Sequence, residues 1–374
     1  MTYPVLIIGG GLAGLTTGIE LSRAGIRVLL IERKNYPHHK VCGEYISNEV
    51  RPYLKKLGLD PTLLGAAEIN SFRFTSPRGH ILDSPLTLGG FGLSRYLFDD
   101  QLYQLAKASG VEFLLNTSVS EVHWNEDHFT VQTAAGDEYK AEVVMGAYGK
   151  RARLDRELHR DFMQQTSPYM GVKYHIQYDF PKDTIALHNF RNGYCGISAI
   201  EDDKYCMCYL TERSNVKMYG SIPEMERQVL AQNPHIYTIL KEAKFLYDSP
   251  EVINEISFAP KKAVVNHILM SGDAAGLITP LCGNGMAMAI HGGWIAAQEI
   301  IEYYKKHRNR KRLEDGYTRR WNEQFSTRLW VGRNVQRMFG NETLSEFALH
   351  FFGLLPPLLR LVIRNTHGKP FITS

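Results

Sequence analysis

The sequence predicts an α/β protein of two interleaved lobes with a helical C-terminal tail. One lobe is a nucleotide-binding domain on a parallel sheet; the other is a mostly antiparallel sheet. Three observations predict this. A glycine-rich turn, Gly9-Gly10-Gly11-Leu12-Ala13-Gly14, joins an apolar strand to a helix. A second glycine-rich segment, Gly272-Asp273-Ala274-Ala275-Gly276 with Pro280 and Gly283-Asn284-Gly285, follows about 260 residues later. Between them, residues 167–260 carry short strands of alternating character.

Pro4–Ile8 reads as a buried strand, Leu12–Ala24 as a helix closed by Gly25, and Arg27–Ile31 as a second strand ending at Glu32. Gly9 permits the tight turn, Gly11 lets the backbone approach a pyrophosphate, and Gly14 lets the helix lie close to the strand. The helix start offers free N–H groups and a positive dipole end to phosphates. Glu32 lies 18 residues beyond Gly14, near the ~20 expected of the acid that binds a ribose hydroxyl. Pro4–Ile19 is uncharged but lacks a basic leader, so a nucleotide fold is expected there and not a signal peptide.

Residues 71–94 read as a hairpin region, and Ser94 as the N-cap of a helix to Ser109 that carries Arg95. Val111–Leu115, Val119–Trp124 and Phe129–Thr133 alternate like strands, with Ala135-Gly136-Asp137 as a turn. Glu142–Ala147 returns as a buried strand ending at Gly149. Further strands are expected at Tyr169–Tyr178, Ile185–Phe190, Tyr194–Ile200, Tyr205–Leu210 and Glu251–Phe258. Ile268–Ser271 is a strand, and a helix runs from Gly283. These elements assign 1–70, 95–165 and 265–310 to the nucleotide lobe, 71–94 and 166–264 to the substrate lobe, and 311–374 to the tail.

The first glycine turn alone serves NAD or FAD; the second segment decides for FAD. Asp273 can accept from flexible sugar-alcohol hydroxyls. Gly283, Asn284 and Gly285 open a helix with bare amides, which stabilise negative charge on a reduced flavin ring. The pair of segments can hold one extended FAD from both ends.

With these residues the chain resembles the FAD family of aromatic hydroxylases, flavin-dependent halogenases and geranylgeranyl reductases. The matching residues are Gly9, Gly11, Gly14, Glu32-Arg33, Lys40-Val41-Cys42-Gly43-Glu44, Arg95, Gly272-Asp273, Pro280 and Gly285. The resemblance covers roughly residues 1–310. It implies the glutathione-reductase/aromatic-hydroxylase type of FAD-binding Rossmann fold, with the antiparallel sheet roofing the flavin. It also implies FAD contacts from Ala13, Cys42, Gly43, Val119, Gly149, Gly283, Asn284 and Met286. The branch most similar in its Cys42-Gly43-Glu44 loop and its Gly272–Gly285 segment is the geranylgeranyl reductases.

Internal signatures narrow the reaction. The halogenase Trp-x-Trp-x-Ile-Pro is absent. The hydroxylase Asp-Gly after the third core strand reads Tyr148-Gly149, which argues against hydroxylase-style reduction by NADPH. The reductase Tyr-x-Trp-x-Phe-Pro is kept only at Tyr194; Gly196 replaces Trp and Ala199 replaces Pro. The expectation is an FAD-dependent reductase or dehydrogenase moving hydride between flavin and a hydrophobic, unsaturated, prenyl- or polyene-like molecule. NAD(P)H or another donor supplies electrons, and Cys42, Glu44 or Tyr194 supplies the proton. The alternatives are a flavin monooxygenase acting on an aromatic or polyene, and a non-catalytic prenyl-binding carrier.

Lys305–Arg312 holds six Lys/Arg; removing them from a net charge of +4 leaves −2, so the basicity is local. No base-reading module accompanies the run, which excludes nucleic acid. It reads as a solvated helix end or as a contact with anionic membrane. Phe347–Ile363 is apolar but broken by Pro356-Pro357, giving two short helices that cap a core or form a lipid-facing lid. Five cysteines at irregular spacing suggest reduced thiols in a cytoplasmic protein, peripheral to the inner membrane face if the basic run binds lipid. Cys206 and Cys208 share a strand face; with Cys195 they are expected to pack and not to bind metal, since no fourth ligand is suitably spaced.

Overall fold

The structure, a computed structural model, describes residues 2–371 apart from 151, 165, 280–282, 337–341 and 367. Along the chain run β1 Thr2–Ile8, α1 Leu12–Arg23, β2 Val28–Ile31, β3 Tyr45–Ser47, α2 Arg51–Leu57, β4 Ala67–Thr75 and β5 Ile81–Gly92. Then follow α3 Arg95–Ala108, β6 Glu112–Leu114, β7 Val119–Asn125, β8 His128–Thr133, β9 Glu138–Gly146 and α4 Arg153–Glu157. The next segment holds β10 Tyr169–Gln177, β11 Thr184–Phe190, β12 Gly193–Ala199, β13 Tyr205–Glu212, α5 Arg213–Tyr219, α6 Ile222–Gln228 and α7 Pro234–Glu242. Last come β14 Lys244–Phe245, β15 Glu251–Ile256, β16 Val264–Val265, β17 Ile268–Met270, α8 Gly285–Lys305, α9 Arg310–Gln336, α10 Glu342–Leu354 and α11 Pro356–Thr366.

The first sheet has the order β16-β17-β9-β1-β2-β6, parallel from β17 to β6. β7 and β8 form an antiparallel meander onto β9. Buried on both faces, β1 and β2 read as the unbroken apolar runs Val5–Ile8 and Val28–Ile31. α3 begins where Ser94 accepts from the Leu97 N–H, as the cap reading expects.

The second sheet has the order β14-β10-β13-β12-β11-β4-β5-β3, with β15 on β10. All pairings are antiparallel except β4 with β11. Tyr45–Ser47 and all of Ala67–Thr75 belong to this sheet, although the sequence boundary at 70 placed Tyr45–Ser47 and residues 67–70 in the nucleotide lobe. Its outer face, with Val172, Tyr174, Cys195, Ile197, Met207 and Tyr209, is covered by α5, α6 and α7. Those three helices were not anticipated; they and the turn between α6 and α7 make the contact through Met225, Val229, Leu230, Ile236 and Ile239. The inner face, with Lys173, His175, Cys206, Cys208, Tyr194 and Gly196, turns the other way by the two-residue alternation of strands. Cys195 is thus on the opposite face from Cys206 and Cys208, so the three thiols pack and do not converge.

The helix after each glycine segment meets the other. Gly293 of α8 lies against α1 so closely that a Cβ would stand 2.5 Å from the Ala13 carbonyl oxygen. Thr17 donates to the carbonyls of Ala13 and Gly293 at 2.9 and 2.8 Å. α9 closes over the second segment with Trp321, which a Gly276 Cβ would meet at 2.9 Å. The start of the 311–374 tail is therefore part of the first core, through Leu313, Tyr317, Trp321, Phe325 and Leu329.

The basic run is partly consumed inside the fold. Arg308 pairs with Glu299 and Glu302. Arg310 lies over the rings of Trp124 and Phe129, at 4.1 and 5.5 Å from their centroids. Among the described residues no single helix is long and apolar enough to cross a membrane.

Gly293→Ala should test the helix crossing. Overpacking at a backbone contact costs about 1–3 kcal/mol, so the urea midpoint should fall. An unchanged midpoint would show that α1 and α8 are not locked at this distance.

Candidate functional site

The nucleotide cradle is built at the ends of β1, β2 and β9. Gly9 has φ +104°, and a Cβ there would stand 2.5 Å from the Ala147 carbonyl oxygen. A Gly14 Cβ would come within 2.1 Å of the Gly9 carbonyl oxygen, so only glycine allows the helix so near the strand. At Gly11, by contrast, the sole neighbour within 4 Å is the Arg95 guanidinium at 3.9 Å. That open space lies at the start of α1, whose cap residue is Gly11 and whose first turn holds no acid. Bare amides, a positive dipole end and a guanidinium face one gap, which suits a pyrophosphate.

Glu32 is buried and accepts from the Gly10 and Lys34 N–H groups at 2.6 and 3.0 Å. It thereby ties the glycine turn to the end of β2. Arg33 is exposed beside it. Val119 opens β7 two residues after Thr117, whose N–H donates to the Glu32 carbonyl. Glu32, Arg33 and Val119 thus stand at one end of the cradle.

Arg95 grips Asp99, four residues on in α3, through two bonds of 2.6 and 2.7 Å, and Lys40 joins them at 2.7 Å. Burial raises the Asp99 carboxyl, but Arg95 and Lys40 outweigh it and hold the group at about 2. Asp99 was missed in the sequence; its signal was the i,i+4 spacing from Arg95.

At the other end, Gly272 (φ +59°) and Asp273 form a short turn against Ala13, whose Cβ lies 3.3 Å from where a Gly272 Cβ would stand. The two glycine segments are therefore in contact. Lys261 donates to the carbonyls of Asp273 and Lys150 at 2.8 and 2.7 Å, and Arg160 to that of Ala274 at 2.8 Å. Burial lowers the Lys261 ammonium to about 8. Gly149 (φ +92°), next to Lys150, has no described residue beyond its chain neighbours within 4 Å of its Cβ position. Pro280 lies outside the described residues. Gly283 (φ +63°) faces the Tyr45 ring, which a Cβ would meet at 2.7 Å. Asn284 caps α8, Gly285 begins it and Met286 is buried in its first turn, again without an acid.

The Cys42-Gly43-Glu44 loop lies under the inner face of the second sheet. The Cys206 thiol reaches the Cys42 carbonyl at 3.2 Å, and the Ser198 hydroxyl reaches that of Gly43 at 3.4 Å. Cys42 is half-buried, within electrostatic reach of Arg95 and Cys208. Gly43 is exposed, with nothing within 4 Å of its Cβ position.

Glu44 takes a role the sequence did not suggest. It is fully buried with φ +57°, a conformation costly for a residue with a Cβ. One carboxylate oxygen accepts from Lys173 at 2.5 Å and the Arg95 N–H at 2.8 Å, the other from His175 at 2.6 Å. Burial raises its pKa, but Lys173 and His175 outweigh it and hold the group at about 2. Glu44 is therefore an ionised anchor, not the proton donor expected of it. Beyond His175, Tyr247 bonds to His175 Nδ1 and to His39 Nδ1, both at 2.9 Å. A carboxylate only accepts, so His175 donates to it from Nε2. Glu44, His175 and Cys206 bring ligand atoms within 4.8 Å of one another, but the Lys173 ammonium already holds the cation position.

Tyr194 is buried on β12 in an apolar cluster with Phe74, Leu187, Leu210, Ile256 and Leu277. Leu277 lies four residues after Asp273, so this cluster joins the second sheet to the second glycine segment. Tyr194, on β12, and Cys42, in the loop before β3, both stand at the inner face.

Bare amides at two helix starts, open glycines between them, Glu32 at one end and Asp273 at the other define a two-lobed, FAD-dependent oxidoreductase. The chain belongs to the FAD binding domain family, which matches residues 2–324. It is 24% identical over 360 residues to Conditioned medium factor receptor 1 of Dictyostelium discoideum, covering 87% of this chain and 69% of that one. It is 27% identical over 326 residues to geranylgeranyl diphosphate reductase of Rhodobacter capsulatus, covering 82% and 76%. Its fold is similar to that of the flavin-dependent brominase Bmp2, with TM-score 0.80, 21% identity and coverage of 98% and 93%. The fold is that of the aromatic-hydroxylase type, as the sequence resemblance implied.

The purified protein should be yellow and release FAD, not FMN, on denaturation, read by chromatography. Asp273→Ala should lower FAD retention on dilution; retention equal to wild type would remove Asp273 from the cradle. The Glu44 carboxyl falls from 4.5 unfolded to about 2 folded. Its contribution, on the order of 3 kcal/mol, is full above pH 4.5 and is lost as pH falls towards 2. Glu44→Gln should flatten acid unfolding over that window. Lys173→Met should cost about 3–5 kcal/mol by stranding the carboxylate.

Proposed function

We propose that this oxidoreductase is a reductase of a hydrophobic, unsaturated molecule of prenyl or polyene type. The observation that carries the reading is the apolar cluster around Tyr194, continuous from the second sheet to Leu277 beside Asp273. The geranylgeranyl diphosphate reductase among the relatives, by its name, reduces a molecule of that kind.

Bound FAD supplies the hydride chemistry. The chain does the rest. The starts of α1 and α8 hold negative charge, Asp273 accepts from hydroxyl groups, and the apolar cluster excludes water from the reacting carbon. Reduction of one carbon–carbon double bond adds a hydride and a proton; the two electrons come from NAD(P)H or another reductant. The proton must come from an O–H or S–H on the inner face, where Tyr194 and Cys42 stand. Tyr148 occupies the place of the hydroxylase Asp, with its hydroxyl committed to Asp155 at 3.0 Å, which supports a donor interaction unlike that of the hydroxylases.

Enzyme reduced chemically and kept free of oxygen should add two hydrogens to a prenyl or polyene substrate, read as a mass gain. Tyr194→Phe or Cys42→Ala should slow that step more than substrate binding, because a proton donor acts in the transition state. Incorporation of labelled oxygen, with no anaerobic turnover, would assign the enzyme to the monooxygenases instead.

A further inference from the structure

We propose that the outer face of α10 and α11 docks on an anionic lipid surface and lies within its interface, giving an apolar substrate a water-free entry to the site. The face is apolar where a solvated helix would be polar. Phe347 and Leu354 are 65% and 69% exposed, and Leu344, Leu355 and Leu361 are exposed with them. Trp330, on the α9 helix that α11 contacts, is 62% exposed. Single exposed apolar residues are ordinary, but a set gathered on one helix pair marks a contact surface. Tryptophan is favoured at the membrane–water boundary.

The occupant is a bilayer because of the shape and charge of the pair. Thr343–Leu354 and Pro357–Ile363 together have the length and composition of a membrane segment, yet they are bent sharply at the break. Neither α10 (13 residues) nor α11 (11 residues) reaches the ~20 residues needed to cross. Short apolar-faced helices of this kind lie in the interface plane. Over residues 342–371 the acids are Glu342 and Glu346, the latter paired with His80 at 3.0 Å, against Arg360, Arg364 and Lys369, so the segment is net basic by one. That sign suits anionic headgroups.

The inner side of the same pair touches the substrate lobe. Leu349 packs on the Tyr194 cluster, and Ile363 on the cluster of Tyr45, Ile69 and Leu86. One layer of helix therefore separates the apolar roof from the apolar outer face. The Lys305–Arg312 run is a poorer contact, since Arg308 and Arg310 are already bound inside the fold.

The test is sedimentation of the full, FAD-loaded chain with phosphatidylcholine vesicles, with and without phosphatidylserine. Binding should be seen with both and be stronger with phosphatidylserine at low salt. The double variant Phe347→Asp with Leu354→Asp should lose binding at least about tenfold while keeping its flavin absorbance. Leu361→Asp should act in the same direction if the double variant does not fold. Leu63→Asp, at an apolar residue 86% exposed outside the tail, should bind as wild type. Wild-type protein that stays in solution with both vesicles, or a double variant that binds as wild type, would overturn the proposal. So would a lipid-free dimer, dissolved by the same double variant, since the face would then belong to a second copy. The assay uses no substrate and no turnover, so it stands apart from the reductase reading.

Discussion

The contact between α1 and α8 is the constraint from which the rest follows. Each helix starts at its own glycine segment, some 260 residues apart in sequence. An extended dinucleotide can be gripped at both ends only if those starts lie side by side. Ala13, Thr17, Gly272 and Gly293 arrange this with almost no side-chain volume between the two backbones. The interaction is steric, and one bond from Thr17 to the Gly293 carbonyl fixes its register. Separating the helices by a single Cβ would move Asp273 relative to Glu32.

The second lobe is attached to this frame by charge. Glu44 comes directly after the exposed Gly43 and is pinned by Lys173, His175 and the Arg95 N–H. The last of these belongs to the first turn of α3, whose side-chain guanidinium faces Gly11. One carboxylate thus joins a strand of the substrate sheet to the helix that borders the pyrophosphate space. Buried pairs of this kind contribute little net stability compared with apolar packing, but losing one partner is costly. The positive φ at Glu44 is tolerated because three donors hold the residue there.

Much of this was legible in the sequence where the physics is local. Glycine spacing gave the cradle, Ser94 the helix cap, and period-two alternation nearly every strand. What was not legible is which face of a strand looks inward. β10 alternates Val172, Tyr174 and Ile176 with Lys173 and His175, and by pattern alone the lysine and histidine face water. The structure inverts this: α5, α6 and α7 bury the apolar face, and the polar face turns to the cofactor loop. Because those helices were not anticipated, Lys173, His175 and Tyr247 could not be placed, and Glu44 was read as a proton donor when its partners keep it ionised down to acid pH. The basic run misled for the same reason. Arg310 is defined by Trp124 and Phe129 beneath it, more than 180 residues earlier, and not by its charged neighbours.

The inner face of the second sheet divides accordingly. Lys173, His175 and Cys206 stand over the loop, and Tyr194, Leu187, Leu210 and Phe74 stand beneath the tail. A buried ammonium beside an apolar ligand would be heavily penalised if it were uncompensated. Here Glu44 accepts from both Lys173 and His175, so the polar half is closed upon itself and needs no charge from a ligand. That closure is what makes a charged network compatible with the apolar cluster of Tyr194 a few strands away. It also limits where a proton can originate. The carboxylate is committed as an acceptor, and His39, Tyr247 and His175 form a hydrogen-bonded chain that ends on it. Tyr194 and Cys42 lie outside that chain, the first within the apolar cluster and the second in the loop before β3.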